Sequence, residues 1–430
     1  MYAETRKLYF LHIPKTAGNS FRYWLWDAFF IEDFLECYHV PDLAALNSSQ
    51  LRQAWLYSGH FGFRLWESMP SPPITLTVLR KPLERVCSEI RFLRTRTDED
   101  KREGRWSYPA FVELAKSQDM PALFKSKLYI EGSANTQVRF LGDTPPNGDL
   151  KPVSRETYDR ACKALEGLDA FGIVERMTES LLVFCERLGW PPRTSVLRVN
   201  ETPAIADAEF NESLREAEPL ILETNEWDLK LYDFARPLFD ERANQLRTRF
   251  GLTWPSGDYK AVEIEALKSA MLARFLDSAL PSPPLRYGRI KQSAGLFIDG
   301  WAERVYWPPV KRWLRWAGAE DTSTIYLPLD RSRGSILLRF ELFYPRDPET
   351  LDEIVLRVDG CEIAMRYMGV QESDEVYLYI CQAELPALSD TVKRWTTISM
   401  TTPSKRPDAH AIDDATTPAR KWAIGNIDLL

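Results

Sequence analysis

Two stretches of the chain combine residue types that bind phosphate. The first is His12-Ile13-Pro14-Lys15-Thr16-Ala17-Gly18-Asn19-Ser20, set between an apolar run and a helical pattern. A strand–loop–helix junction gathers backbone N–H groups and the positive end of a helix dipole, and together they suit an anion. Gly18 permits close backbone approach, Lys15 adds a point charge, and Thr16 and Ser20 offer hydroxyl donors. The loop is not a Walker A motif, because GxxxxGK[ST] is absent. The second stretch runs from Val78 to Phe92. Its Arg80 carries a planar, permanently charged fork, and Ser88 falls in the second turn of a helix entered through Pro82. Four histidines occur in the chain, and His60 lies between the two stretches, in Tyr57-Ser58-Gly59-His60-Phe61-Gly62-Phe63.

The first string resembles the 5′-phosphosulfate loop of sulfotransferases that use 3′-phosphoadenosine 5′-phosphosulfate (PAPS), in the branch holding the heparan sulfate 2-O- and 6-O-sulfotransferases and bacterial relatives. The resemblance implies that Lys15 contacts the phosphosulfate and assists the leaving phosphate. It also implies that Thr16, Ala17, Gly18, Asn19 and Ser20 wrap the 5′-phosphate. Asn19 stands where the family more often has Thr. The second string is similar to the family's 3′-phosphate motif, in which a strand-end Arg and a Ser eight residues later grip one phosphate; Arg80 and Ser88 hold those positions. Lys81 replaces an acidic or small residue common in the family. Sulfuryl transfer, like phosphoryl transfer, passes through a loose in-line transition state, yet a base must still accept the acceptor's hydroxyl proton. Related enzymes carry a catalytic His in a Gly-His segment, which points to His60, with His39 in reserve and Glu36 behind it. His12 is expected to pack or cap. Asn135-Thr136-Gln137-Val138-Arg139-Phe140-Leu141-Gly142 resembles a family segment near nucleotide and acceptor, so Asn135 and Arg139 are further candidate contacts. The resemblance spans about residues 7 to 252. It implies PAPS as donor, a carbohydrate acceptor and no metal.

These residues need βα units to hold them. Lys7 to Ile13 and Ile74 to Leu79 read as buried strands, and Phe21, Trp24, Leu25, Ala28 and Phe29 recur at helical spacing. Helices are expected at 156–165, 178–188 and 212–250, with Gly189 and Gly251 as stop signals. The expected fold of residues 1–252 is α/β, a P-loop-like doubly wound parallel sheet with helices on both faces. Residues 253–286 read as a linker with one helix (262–276) and a Pro-rich run, Pro281-Ser282-Pro283-Pro284. From 287 to 430 the apolar period falls to two, as in Ile336, Leu338, Phe340 and Leu342. Asp359-Gly360 is a hairpin signal, and the segment reads as an all-β sandwich that either binds sugar or only packs its aromatics.

Composition sets outer bounds. At 430 residues two domains are the starting expectation, and a net charge of −7 argues against general nucleic-acid binding. Within it, Arg80 to Arg105 holds nine Lys/Arg against six Asp/Glu, which suits either a guide for an acidic glycan or a solvated lid. Six scattered Cys argue against a disulfide framework or a zinc site and fit a reducing compartment. The opening residues lack an apolar signal region, and no uncharged apolar run reaches about 18 residues. The expectation is a cytoplasmic enzyme of bacterial type, or a catalytic piece of a longer chain. Two other readings stay open: a P-loop kinase, disfavoured by the absent Walker A, and a non-catalytic glycan-binding protein on the same fold.

Overall fold

In a computed structural model of the chain, residues 7–28, 34–36, 45–67, 69, 71–102, 109–117, 120–142, 151–194, 208–252, 260–278, 285–290, 297–307, 312–318, 321–344, 354–373, 376–388, 395–401 and 422–430 are described. The β-branched and aromatic runs of the first half form strands buried at every position: β1 (Leu8–Leu11), β3 (Leu56–Gly59), β4 (Ile74–Leu79) and β5 (Ala170–Ile173). Burial on both faces is what a parallel sheet demands. With β2 (Phe34–Glu36) they make one parallel sheet in the order β2-β3-β1-β4-β5. The chain runs outward to one side of β1 first and returns to build the other side from β4. The switch therefore falls between neighbours β1 and β4, where open α/β sheets form their ligand crevice.

Helices follow these strands, and the first, α1 (Gly18–Trp26), begins inside the string read as the loop. It buries Phe21, Trp24 and Leu25, and α2 (Pro82–Arg94) opens on a proline whose missing N–H costs nothing there. Helices α3 (Thr136–Leu141), α4 (Arg155–Gly167) and α5 (Met177–Leu188) follow, and Gly189 ends α5 in the left-handed region. The continuous helix expected over 212–250 is instead three: α6 (Ala208–Glu216), α7 (Glu218–Thr224) and α8 (Glu226–Arg249). Pro219 cannot donate to the preceding turn, so it opens a new helix instead of continuing the old one. Asn225 makes the second break. Its side chain bonds Tyr129 Oη (2.7 Å) and the Asn135 N–H (2.9 Å), which fixes a joint between α7 and α8.

Helix α9 (Ala261–Asp277) lies within the segment read as a linker, but its apolar residues serve both halves of the molecule. Leu267 and Met271 belong to the core under the parallel sheet, and Leu272, Phe275 and Leu276 pack on the core beyond it. Pro281 to Pro284 lie outside the described residues.

The C-terminal half is antiparallel. One sheet runs β13 (Met365–Ser373), β14 (Val376–Leu385), β10 (Ile336–Tyr344), β16 (Ala423–Leu429), β8 (Arg312–Ala317) and β7 (Trp301–Trp307), with β6 (Gly288–Ile290) beside β16. The other runs β12 (Cys361–Glu362), β11 (Val355–Val358), β15 (Thr396–Thr401) and β9 (Thr322–Leu327). Period-two residues of both sheets share one core, including Leu338 and Phe340 from the first and Leu356 and Ile398 from the second. Asp359 and Gly360, both at positive φ, turn β11 into β12. Strand β9 ends before Pro328, which has no N–H for the ladder. Trp301, Trp316, Trp395 and Trp422 are buried, so these aromatics fill cores.

The two halves meet on charge. Asp27, next after α1, is held by Arg193 Nη2 (2.6 Å) and by Arg315 Nη2 (2.5 Å) and Nη1 (2.8 Å), with Arg304 Nε at 3.9 Å. Arg304 also donates to the Trp26 carbonyl (3.0 Å), and the Trp313 ring meets Trp26 edge-on. Among the described residues, no helix is long and apolar enough to cross a membrane.

Candidate active site

The order β3-β1-β4 brings three sequence signals to neighbouring strand ends. His60 follows β3, the 12–20 loop follows β1, and Arg80 follows β4. In the loop, Lys15 (φ 67°) and Ala17 (φ 57°) take left-handed backbone on either side of Thr16. Each costs on the order of 1 kcal/mol or more for a residue with a Cβ. Such alternation is the backbone pattern from which anion-binding nests are made, and the loop runs directly into the N-terminus of α1. Thr16 is buried and donates its hydroxyl to the Ile13 carbonyl (2.9 Å), so its side chain tightens the loop. Gly18 and Ser20 are buried in the first turn of α1, and Asn19 is half-buried between them. Gly18 admits no other residue without movement: a Cβ there would lie 1.9 Å from His12 Cδ2 and Nε2.

Arg80 joins the loop to the second motif. Its Nη1 donates to the Lys15 carbonyl (3.2 Å), and its buried Nε has no hydrogen-bond partner among the described residues. Lys15 rests its ammonium over the Phe92 ring, 4.1 Å from the centroid. Burial pushes its pKa down to about 8; Glu89 works against that shift, while Arg80, Arg96 and Arg85 add to it. Beneath them Arg85 is fully buried and pairs with Glu89 (3.0 Å), which also accepts from Ser133 Oγ (3.0 Å). Arg85 Nε and Nη1 find no hydrogen-bond partner among the described residues. Buried donors that lack acceptors beside a desolvated ammonium describe a site short of negative charge. Ser88, half-buried, stands in the second turn of α2.

His60 is oriented by a backbone bond. Its Nδ1 lies 2.7 Å from the His12 carbonyl oxygen. A carbonyl only accepts, so Nδ1 carries the proton and the neutral ring keeps its lone pair on Nε2. The His12 ring lies 4.3 Å from the His60 ring, and the Phe140 edge lies at 6.1 Å. His12 is buried, and burial, followed by the charges of His60, Arg22 and Lys15, holds it well below its ordinary pKa. It therefore stays neutral and packs between His60 and Gly18.

The remaining candidates stand elsewhere or have other work. Asn135, itself left-handed (φ 57°), accepts from the N–H groups of Trp227 (2.9 Å) and Asp228 (3.0 Å) and donates to the Thr224 carbonyl (3.0 Å). Arg139 donates to the carbonyls of Ala134 (2.8 Å) and Ile130 (3.2 Å). Both side chains thus clasp helix ends. Glu36 closes β2, and His39 lies outside the described residues. Of the basic stretch, Arg94 donates to the Ala115 carbonyl, Arg96 also lies over the Phe92 ring, and Arg105 lies outside the described residues.

Two contributors escaped sequence reading. Arg85 counted only toward a charge sum, although it stands three residues after Pro82 on the buried face of α2. Gln137 sat unremarked between Asn135 and Arg139, yet its carboxamide bonds both peptide groups of Arg80. No family model matches this chain, and no curated protein is significantly similar to it.

Proposed function

We propose that this chain is a PAPS-dependent sulfotransferase acting on a carbohydrate hydroxyl, built on a P-loop-like, doubly wound sheet with a β-sandwich attached. The observation that carries the reading is the Arg80–Lys15 junction. It links two cationic motifs at adjacent strand ends, with buried guanidinium donors left unpaired among the described residues and a histidine just past the end of the next strand. A nucleotide phosphorylated at both ends supplies an acceptor for each motif, which ATP does not.

On this reading the nest and Lys15 hold the phosphosulfate, while Arg80 and Ser88 hold the 3′-phosphate. The bond from the bridging phosphate oxygen to sulfur breaks as the acceptor oxygen bonds to sulfur. The acceptor's proton passes to His60 Nε2, and Lys15 neutralises charge developing on the departing phosphate. The products are a sulfate ester and 3′-phosphoadenosine 5′-phosphate (PAP). Holding the reactants in line supplies much of the rate. The histidine adds about 10²- to 10⁴-fold as general base.

The test offers PAPS labelled in sulfur together with a panel of polysaccharides. Label should appear in an acid-labile ester on the glycan, and His60→Ala should cut turnover by about 10²-fold or more while leaving PAP affinity within a few-fold. Transfer of the ATP γ-phosphate with no transfer from PAPS would replace this reading with a kinase. Retention of full turnover by His60→Ala would remove the histidine from its role.

A further inference from the structure

Arg80 is the first residue past β4, so its peptide groups lie beyond the sheet ladder. Gln137 takes over both. Its Oε1 accepts from the Arg80 N–H (2.9 Å) and its Nε2 donates to the Arg80 carbonyl (2.9 Å). A carboxamide does this at any pH, since one end accepts while the other donates; an ionised carboxylate only accepts. The two bonds supply what a neighbouring strand would have given.

Gln137 is itself anchored. It is buried in the first turn of α3, and its N–H donates to Asp228 Oδ2 (3.2 Å) while that of Val138 donates to Oδ1 (2.8 Å). Asn135 ties the same turn to the start of α8. On the other side of Arg80, the Lys81 N–H donates to Glu175 Oε1 (2.9 Å), whose Oε2 accepts from Tyr232 Oη (2.9 Å). The backbone carrying the guanidinium is therefore gripped before and after its Cα. The Gln137 carboxamide bonds Arg80 through its backbone and not its guanidinium, so what it fixes is the aim of a long lever.

We propose that Gln137 is the positioning residue that aims the Arg80 guanidinium and thereby sets the preference for a 3′-phosphorylated nucleotide. The inference rests on the reading of Arg80 as the 3′-phosphate grip. A displacement of about 1 Å at a charge-binding group is enough to lose a large part of its effect.

The experiment measures the affinities of PAP and AMP for the full-length parent, Gln137→Leu and Gln137→Glu, with thermal melts alongside. The parent's own PAP-to-AMP ratio tests the sulfotransferase reading, and the change in that ratio tests the clamp. Gln137→Leu should keep AMP affinity within a few-fold of the parent and lose about tenfold or more in PAP affinity, the scale of one hydrogen bond to a charged group. Gln137→Glu keeps the acceptor but faces the Arg80 carbonyl with an oxygen that donates only when protonated. Its ratio, relative to the parent's at each pH, should recover as pH falls. A folded Gln137→Leu with the parent's ratio would overturn the proposal. If that variant does not fold, a Gln137→Glu ratio that tracks the parent at every pH overturns it. Failure of both variants to fold assigns Gln137 to the fold alone and overturns it equally.

Discussion

At the scale of single residues, the candidate site gathers more cations than carboxylates, with Lys15, Arg80, Arg85 and Arg96 around Glu89. Lys15 is the sharpest case, because burial and three neighbouring arginines hold its pKa near 8 against the pull of Glu89. A bound phosphate favours the ammonium form, so binding takes up a proton wherever Lys15 is neutral in the empty site. Affinity for PAP should be level below pH 7 to 8 and weaken as pH rises through about 8. Calorimetric titrations from pH 7 to 9.5 check this. Lys15→Arg, which stays charged throughout, should flatten the profile. A pH-independent affinity in the parent would show that Lys15 does not meet the anion. The candidate residues Lys15, Gly18, Arg80 and His60 could be picked out at this scale because they stand in short contiguous strings. Gln137 and Arg85 could not, because their value lies in which backbone or carboxylate they meet across the fold.

At the scale of elements, the arrangement depends on how β1 hands over to α1. His12 ends the strand side of the junction, Gly18 begins the helix, and the imidazole rests where a Gly18 Cβ would stand. Gly18→Ala must move the ring, the loop or the helix start. It should cost on the order of 1–3 kcal/mol, as overpacking does, and sharply weaken nucleotide binding. His12→Ala combined with Gly18→Ala removes the colliding ring and should recover part of the lost stability in urea melts. Equal loss in the single and double variants would show that the ring is not what requires glycine. The strands β1 and β4 and the start of α2 could be read from sequence, because buried strands are continuous apolar runs and Pro82 marks a helix entry. Strand β3 was not read. It is four residues long and ends in Ser58 and Gly59, so only its burial between β1 and β2 declares it. The breaks at Pro219 and Asn225 were likewise hidden inside a pattern that kept helical spacing across both.

At the scale of the molecule, the parallel-sheet half and the antiparallel half share more than a tether. Helix α9 serves both cores, and Asp27 sits buried among Arg193, Arg304 and Arg315. Those arginines hold its carboxyl below the usual range against the cost of burial, so its pairing is intact at neutral pH and is lost only under strongly acidic conditions. Asp27→Ala leaves buried guanidinium groups without their counter-charge and should cost about 3–5 kcal/mol. It should also split a single thermal transition into two, read by calorimetry, as the halves lose their common anchor. An unchanged single transition would show that the apolar contacts of α9 suffice. The period-two pattern revealed the antiparallel strands, but nothing in sequence paired Asp27 with Arg315, 288 positions away.

The central claim is that two phosphate grips meet at the ends of β1 and β4. Calorimetric titration of the full-length protein with PAP, AMP and ATP tests it most directly. The account predicts that PAP binds tightly, that AMP and ATP bind at least about tenfold more weakly, and that Arg80→Ala brings PAP down to the level of AMP, as loss of a charge-assisted phosphate contact should. Equal affinity for the three nucleotides, or no binding of any, would contradict it.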